Sequence, residues 1–420
     1  MYFLRSAQAV SITLLTLALF PAFLGAQTVA ASDEPGLQNT PVAASCTPNI
    51  LSDVTVATAA ARKAAGEKAE PPLTDLNNGF AWPDTPLGVV KSDQGYVFFG
   101  SDGAYHARQR WQGKWYGNNK YGSITRTIGT LSNPLGTAPP VDVTLNPNPD
   151  PTVDPFYSAY DYIGGGPVYR VPQGMPGAGS LLLLYHAEIP TVTTQSFYAV
   201  LGLAASSDEG MSWTDLGEII RVNQGYRIDI DGFDIGDSNI ALSTDGKYFN
   251  IYFPDWLANG TTHWGNTITF ASVARAPIAS VLSAAFGDHP HAVTFTKFYE
   301  GWRFEQGLGG YSRNLNPQQS YGGELQVAYN ADLKAYQLLM NAGVVVYYAD
   351  SKDGMNWSPL AVFHDFRQDP DQPSVYVNFV GTGADPSILG KQFYIFYTRY
   401  PGNGQGWTGA SVHRFTVSCN

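Results

Sequence analysis

Five segments of the chain repeat one residue pattern at unequal intervals, and this repeat limits the possible folds more than any other feature. Each segment begins with a small or acidic residue, continues through a short apolar run and a turn, and ends in an aromatic-rich run. Two apolar runs around a turn are the pattern of a β-hairpin. The five segments begin at Asp84, Gly166, Asp237, Glu324 and Asp385.

The composition favours strands over helices for these units. Charged residues are 14% of the chain and aromatic residues 13%, with 44 Gly and 28 Pro. The solvated faces of helices need many charged residues, so a mostly helical fold is excluded. We therefore predict an all-β fold, a five-bladed β-propeller of antiparallel blades over residues 77–420. A two-domain β-sandwich protein is the structural alternative.

A second shared motif, Ser-x-acid-Gly-Met-x-Trp, occurs in two of the units, at residues 207–213 and 351–357. An acidic residue followed by Gly is typical of a tight turn between strands. The Trp is expected to bury its ring beside the hairpin, with its N–H hydrogen-bonded. The motif is therefore interpreted as structural and not as an active site.

The first 31 residues have the pattern of an export signal. Arg5 supplies a positive start, residues 12–24 are apolar, and small residues suited to cleavage follow. An uncleaved membrane anchor is the alternative, although the apolar stretch is short for a span. Residues 32–76 are expected to be a lead-in segment, and the mature protein to be an extracellular or periplasmic monomer with no membrane contact.

Cys46 and Cys419 are the only cysteines, and they lie near opposite ends of the mature chain. In an oxidising compartment they can pair and link the two termini. Two cysteines are too few for a cysteine-based metal site.

Acidic residues are expected to surround one end of the propeller axis. The first strand of each blade lines that axis, and four of the five segments begin with an acid. In an antiparallel hairpin the turn determines which residues face each other. This pairing is expected to bring further acids to the same end of the axis. It places Asp102 or Gly103 opposite Asp84, Pro254 or Asp255 opposite Asp237, and Glu188 near Gly166.

Crowded carboxyl groups favour glycoside hydrolysis. Like charges a few ångströms apart raise the pKa of one another, and hydrolysis of a glycosidic bond needs one protonated and one ionised carboxyl. The alternative is that some of these acids cap turns or hold a structural calcium ion at the axis; no other cofactor or metal is expected. The net charge of −11 disfavours nucleic acid as a partner. The side chains expected to contact sugar rings or hydroxyls are Trp82, Trp256, His106 and His186.

The blade pattern resembles the five-bladed propeller glycoside hydrolases, the group that includes arabinanases, β-xylosidases and invertases. Its basis is Gly-Ala-Asp-Pro-Ser-Ile-Leu at residues 383–389, followed by Phe-Tyr-Ile-Phe-Tyr, and Gly-Asp-Ser at residues 236–238. The first unit is similar to the endo-D-arabinanase family of actinobacteria and their phages, through Asp-Thr-Pro-Leu-Gly at 84–88 and Phe-Gly-Ser-Asp at 99–102.

This resemblance implies that Asp84 and Asp102 are the catalytic pair. An alternative pairs Asp84 with Glu324, because in arabinanases and invertases the acids come from different blades. The other acids then position sugar hydroxyls or adjust pKa values: Asp237, Asp255, Asp385 and Glu188. We predict a secreted glycoside hydrolase acting on a furanose-containing polysaccharide, with arabinan as the implied substrate. A non-catalytic carbohydrate-binding or surface-adhesion propeller is the alternative function.

Overall fold

Five sheets form the five blades of a β-propeller, so the predicted fold is confirmed. All described residues belong to the unit Thr40–Asn420. The computed structural model describes residues 46–58, 85–101, 109–111, 114–116, 124–136, 141–160, 162–190, 197–226, 235–236, 238–258, 267–287, 292–299, 304–315, 324–342, 344–368, 374–399 and 411–419.

The first strand and the first blade follow one another in the chain. Strand β1 (Pro48–Thr58) is the outermost strand of the fifth blade. The first blade is built from two hairpin strands, two later strands and a small separate sheet between them. These are β2 (Gly88–Ser92) and β3 (Gly95–Ser101), then the separate pair β4 (Gln109–Trp111) and β5 (Lys114–Tyr116), then β6 (Ile124–Gly129) and β7 (Val141–Asp142).

The second and third blades each contain five strands. In the second blade the edge strand comes first in the chain and pairs in parallel with the last. Its strands are β8 (Thr144–Asn146), β9 (Tyr162–Arg170), β10 (Leu181–Pro190), β11 (Phe197–Ser206) and β12 (Ser212–Arg221), with a 3-10 turn at Tyr157–Ala159. The third has β13 (Asn239–Leu242), β14 (Tyr248–Ala258), β15 (Thr267–Pro277), helix α1 (Ile278–Phe286), β16 (Thr296–Phe298) and β17 (Phe304–Gln306).

The fourth and fifth blades share a short strand at their boundary. The fourth blade has β18 (Glu324–Asn330), β19 (Ala335–Asn341), β20 (Val345–Ser351) and β21 (Ala361–Asp365), followed by a 3-10 turn at Phe366–Gln368. The fifth has β22 (Ser374–Gly381), β24 (Gln392–Arg399) and β25 (Ser411–Cys419), and between them β23 (Ile388–Leu389) pairs in parallel with β18.

The ends of the chain close the ring. Strand β1 pairs with β25, with Pro48 opposite Cys419, and a disulfide joins Cys46 to Cys419. The predicted disulfide is therefore confirmed. The predicted lead-in at 32–76 is wrong for residues 48–58, which form a blade strand. Their sheet partner lies more than 350 residues away, so no local pattern marks them as part of the propeller.

Two hairpins have the register that their turns predict. Gly88 lies opposite Phe99, and Asn239 lies opposite Tyr252. The second blade differs, because β9 begins at Tyr162 and not at Gly166. Glu188 therefore faces Tyr162. The pairing of β9 with β10 also contains an irregularity near Leu183, which a constant hairpin register does not anticipate.

Buried amide side chains link neighbouring innermost strands. The Asn239 side chain bonds both backbone groups of Val327 in the fourth blade, with its Oδ1 accepting from the Val327 N–H at 2.9 Å. Asn378 of the fifth blade donates to the carbonyl of Leu87 beside the first blade, at 3.2 Å. A buried polar side chain needs such partners, and here the partners lie in the next blade.

The Ser-x-acid-Gly-Met-x-Trp motif forms outer turns, as predicted. Gly210 and Gly354 occupy the turns with φ of 77° each, a conformation that favours glycine. Trp213 is buried against Phe99, with ring centroids 5.5 Å apart. The expectation of a satisfied Trp N–H is wrong for both motifs, because among the described residues neither Trp213 nor Trp357 has a partner for its Nε1.

Candidate active site

The mouth is defined here as the end of the propeller axis at which the innermost strands β2, β9, β13, β18 and β22 begin. In an antiparallel blade the second strand ends at the same place. Two groups of described polar residues lie there, one at the first and second blades and one at the fourth and fifth blades.

A hydrogen-bonded chain of hydroxyl groups joins the first and second blades at the mouth. The Thr85 and Ser101 oxygens are 3.1 Å apart, and Ser101 Oγ lies 2.8 Å from the Tyr162 hydroxyl. All three residues are buried. A Cβ on Gly164 would lie 2.6 Å from the Thr85 side chain and 2.8 Å from the Tyr162 hydroxyl. Glycine at this position therefore permits the two blades to approach closely enough for these bonds.

Glu188 and His186 form a pair beside this chain. They are two residues apart on β10, so their side chains lie on the same face. His186 Nε2 and Glu188 Oε1 are 3.3 Å apart, with 11% and 26% of the side chains exposed. The His186 ring also meets the Tyr162 ring edge-on at 6.1 Å. Both predicted residues are thus brought together at the mouth end of the second blade.

Glu324 begins β18, as predicted, and its carboxylate is held in place by both the fourth and the fifth blade. Its Oε2 accepts a hydrogen bond from the Asn341 side chain at 3.1 Å and another from the backbone N–H of Tyr376. Tyr376 has φ of 58° and lies at an irregularity in the pairing of β22 with β24. Backbone strain of this kind in a non-glycine residue concentrates at functional sites.

Several predicted residues are not part of the described chain. Trp256 lies in β14, and its side chain is not described. The others lie outside the described residues: Asp84, Asp102, Asp237, His106 and Trp82. Their roles therefore stay predictions.

Asp255 does not line the mouth, which corrects its expected position. Its side chain is fully buried, and Oδ2 lies 2.8 Å from the Lys297 ammonium group and 2.7 Å from the Ser312 hydroxyl. Lys297 also donates to the carbonyl of Arg221 in the second blade at 2.6 Å. The hairpin register was right, but the carboxylate turns toward the interface between two blades, where a cation neutralises it.

Removing the cation from this buried pair should destabilise the fold. Lys297→Met would leave the Asp255 charge buried with no counter-charge, which typically costs about 3–5 kcal/mol. Urea unfolding of the variant measures this loss. The double variant Asp255→Leu with Lys297→Met should recover most of it, because both charges are then absent. A single variant as stable as the native protein would contradict the expectation.

Asp385 lies at the opposite end of the axis from the mouth, which corrects a second position. It is exposed, lies between β22 and β24, and accepts hydrogen bonds from the backbone and hydroxyl of Ser387. Its charge acts on Tyr169 and Arg170, the last residues of β9. The innermost strand of the fifth blade is β22, because residues 393–396 pair with it, whereas residues 388–389 pair with β18.

A buried acidic cluster in the second blade was not predicted from the sequence. Asp215 and Glu218 lie on β12, and Asp154 lies in the loop between β8 and β9. The Tyr160 hydroxyl bonds both Asp154, at 3.0 Å, and Glu218, at 3.2 Å, while Tyr185 donates to Asp215 at 2.7 Å. The available signal was the pair of acids in residues 215–220, whose other members are Leu, Gly and Ile.

Burial raises the pKa of all three carboxyl groups. Burial, followed by the charge of Asp154, raises the pKa of Asp215 from 3.8 to about 7. The same two causes, in the same order, raise the pKa of Glu218 from 4.5 to about 7. The pKa of Asp154 is also raised, chiefly by burial.

These pKa values predict a loss of stability with rising pH. Because the folded state binds protons that the unfolded state has released, the contribution is fully present below about pH 4 and is lost as pH rises through 7. Asp215→Asn with Glu218→Gln removes the titration. This variant should match the native protein near pH 4 and exceed it by at least about 3 kcal/mol at pH 8, measured by urea unfolding. A pH-independent difference would contradict this expectation.

No helix among the described residues is both long and apolar enough to cross a membrane. Within the same part of the chain, no three His, Cys, Asp or Glu residues are grouped so as to hold a metal ion. The calcium ion considered above therefore stays a prediction without a described site.

Comparison with known proteins identifies the fold. No protein-family model matches the chain, and no curated protein matches it either. A family 117 glycoside hydrolase from the marine bacterium Zobellia galactanivorans is similar in structure, with a TM-score of 0.51 and 12% identity over 89% of this chain and 92% of that one. An alpha-L-arabinofuranosidase from Lactobacillus brevis matches at a TM-score of 0.46 and 11% identity, over 79% and 90%. At these identities the first likeness shows the fold alone, and the second is too distant to support an argument.

Proposed function

We propose that the protein is an exported glycoside hydrolase that cleaves a furanose-containing polysaccharide, with arabinan as the leading substrate. The observation that carries the proposal is the contact between Thr85 and Ser101, whose oxygens are 3.1 Å apart. Thr85 directly follows Asp84 in the chain, and Ser101 directly precedes Asp102. Neighbouring Cα atoms are only about 3.8 Å apart, so the contact supports a carboxyl pair at the mouth.

Such a pair supplies the chemistry of glycoside hydrolysis. One carboxyl donates a proton to the leaving oxygen, and the other, ionised, acts as nucleophile or activates water. The proximity of the two charges keeps one group protonated. Glu324, oriented by Asn341 and the Tyr376 N–H, binds a sugar hydroxyl, or replaces Asp102 in the alternative pairing.

The choice of a neutral furanose polymer rests on charge and on the first blade. The net charge of −11 disfavours an anionic polymer. The pair His186 and Glu188 offers hydrogen-bonding groups to a sugar. Arabinan itself comes from the resemblance of residues 84–88 and 99–102 to endo-D-arabinanases.

Export is proposed from the N-terminal residues and supported by the disulfide. Residues 1–31 would be the signal peptide. A disulfide such as Cys46–Cys419 persists in oxidising compartments and is rare in the cytosol.

The test is hydrolysis of a polysaccharide panel by the purified protein. Plant and mycobacterial arabinans, xylan and galactan are incubated with it, and reducing ends and products are measured. Release of arabinose-containing oligosaccharides from arabinan is the expected result. Release of product from xylan or galactan but not from arabinan would support hydrolase activity and would reject arabinan as the substrate.

A non-catalytic carbohydrate-binding propeller is the second candidate. The observation favouring it is that Asp255, one of the expected acids, is committed to a buried ion pair and cannot act at the mouth. Binding of a polysaccharide from the same panel, with no reducing ends released from any of them, would support this function against hydrolysis.

A further inference from the structure

A cavity of about 390 Å³ lies between the outer parts of the second and third blades. Its volume falls within the range of about 300–1,000 Å³ that is typical of small-molecule sites. Glu218 is on β12, the fourth strand from the axis, so three strand spacings, about 14 Å, separate it from β9. The cavity is therefore distinct from the mouth. The residues that line it include Phe156, Glu218, Arg221, Ala292, Phe295 and Leu308.

Most of the cavity wall is apolar, and two charged groups converge on it. Phe156 and Phe295 supply aromatic surface, and Leu308 is 39% exposed at the rim. Glu218 Oε2 and Arg221 Nη1 lie 3.6 Å apart, with 5% and 28% of their side chains exposed. Small-molecule binding sites are usually cavities of this kind, mostly apolar with a small number of polar groups.

Both charged groups retain hydrogen-bonding capacity. The Arg221 Nε is buried and has no hydrogen-bond partner among the described residues. Glu218 accepts one hydrogen bond, from the Tyr160 hydroxyl at 3.2 Å, and its separation from Arg221 is longer than a normal hydrogen bond. A ligand that both donates and accepts hydrogen bonds would satisfy the two groups together.

The charges around the cavity favour an uncharged ligand. Arg221 faces Glu218, and the nearby Lys297 is paired with Asp255, so each cation already has a carboxyl partner. The carboxyl of Asp154 lies behind Glu218, joined to it through Tyr160. An anionic ligand would be repelled by this acidic cluster, and each nearby cation is already paired with a carboxyl group.

We propose that this cavity is a second carbohydrate site, which binds one sugar residue of a neutral polysaccharide. The C–H face of the sugar packs against Phe156 and Phe295, and its hydroxyls bond Glu218 and Arg221. The polysaccharide rests on the proposed function, whereas the requirement for a neutral, hydroxyl-bearing ligand rests on the cavity alone. A second site on one polymer raises its effective concentration at the mouth.

The experiment counts binding sites by isothermal titration with a neutral arabinan-derived oligosaccharide. Ala292 is exposed at the cavity wall, so Ala292→Trp fills the cavity from outside with little effect on folding. It should have one site fewer per chain than the native protein. Ala361→Trp, at an exposed position on β21, is the matched control and should leave the count unchanged.

A second variant tests the polar contact. Glu218→Gln keeps an acceptor for Tyr160 but removes the charge, and should weaken binding at this site at least about tenfold. A native protein with no site, or an Ala292→Trp variant with an unchanged count, would overturn the proposal. Tighter binding of an oligogalacturonate than of the neutral oligosaccharide would overturn the ligand class.

The same measurements separate this proposal from the proposed hydrolase. Hydrolysis of a short chromogenic arabinofuranoside should be unchanged in Ala292→Trp, because only the mouth acts on it. If no hydrolysis occurs but Ala292→Trp still removes a site, the cavity assignment stands and the hydrolase is rejected. If hydrolysis occurs and Ala292→Trp leaves the number of binding sites unchanged, the hydrolase stands and the cavity assignment is rejected.

Discussion

Asparagine at Asp84 or at Asp102 is expected to lower the rate of polysaccharide hydrolysis about 10²- to 10⁴-fold. An amide neither donates a carboxyl proton nor attacks as a nucleophile, so each substitution removes one half of the proposed pair. The melting temperature should be nearly unchanged, because Asn has almost the same shape as Asp. Initial rates on arabinan, together with thermal unfolding, measure both effects.

A matched control and a competing variant complete this series. Asp385→Asn makes the same chemical change at an exposed turn at the far end of the axis, and should retain full activity. Glu324→Gln distinguishes the two pairings. If Glu324→Gln is inactive while Asp102→Asn is active, Asp84 acts with Glu324. Full activity of Asp84→Asn would reject both pairings.

Loss of the Cys46–Cys419 disulfide is expected to destabilise the protein by about 5 kcal/mol. The bond closes a loop with a sequence separation of 373 residues, and restriction of the unfolded chain grows with loop length. For a chain of this size such a loss lowers the melting temperature by about 6 °C. Thermal unfolding of the double variant Cys46→Ser with Cys419→Ser gives the comparison.

The position of the disulfide explains why its effect should be global. Cys46 is separated by one residue from β1, whose pairing with β25 closes the fifth blade. Cys46 and Cys419 also contact the fourth blade, through the Asp350 carboxylate at 3.3 Å and the Gln337 side chain at 3.1 Å. Dithiothreitol should lower the melting temperature of the native protein and not that of the double variant. Equal melting of the two proteins without reductant would contradict this account.

Local features of the sequence were sufficient for the propeller and for much of the register. Short turns determine which residues of a hairpin oppose each other, so Gly88 opposite Phe99 and Asn239 opposite Tyr252 were predictable. The disulfide followed from a count of two cysteines. Glu324 at the start of an innermost strand followed from the repeat.

The tertiary structure decided where several acids point and what neutralises them. Asp255 has the expected register, but its partner Lys297 comes from a different strand and its environment from a neighbouring blade. Asp385 begins a run that resembles a blade strand, yet that run pairs in parallel with β18 at a blade edge.

The chain by itself therefore determined the number of blades, the hairpin registers and the linkage of its ends, because these depend on local periodicity and on residue counts. Only the tertiary structure assigned residues 48–58 to the fifth blade and assembled the acidic cluster around Tyr160. Both arrangements bring together parts of the chain that are distant in sequence. The physical reason is that burial and charge pairing depend on neighbours in space, and hairpin periodicity carries no information about those neighbours.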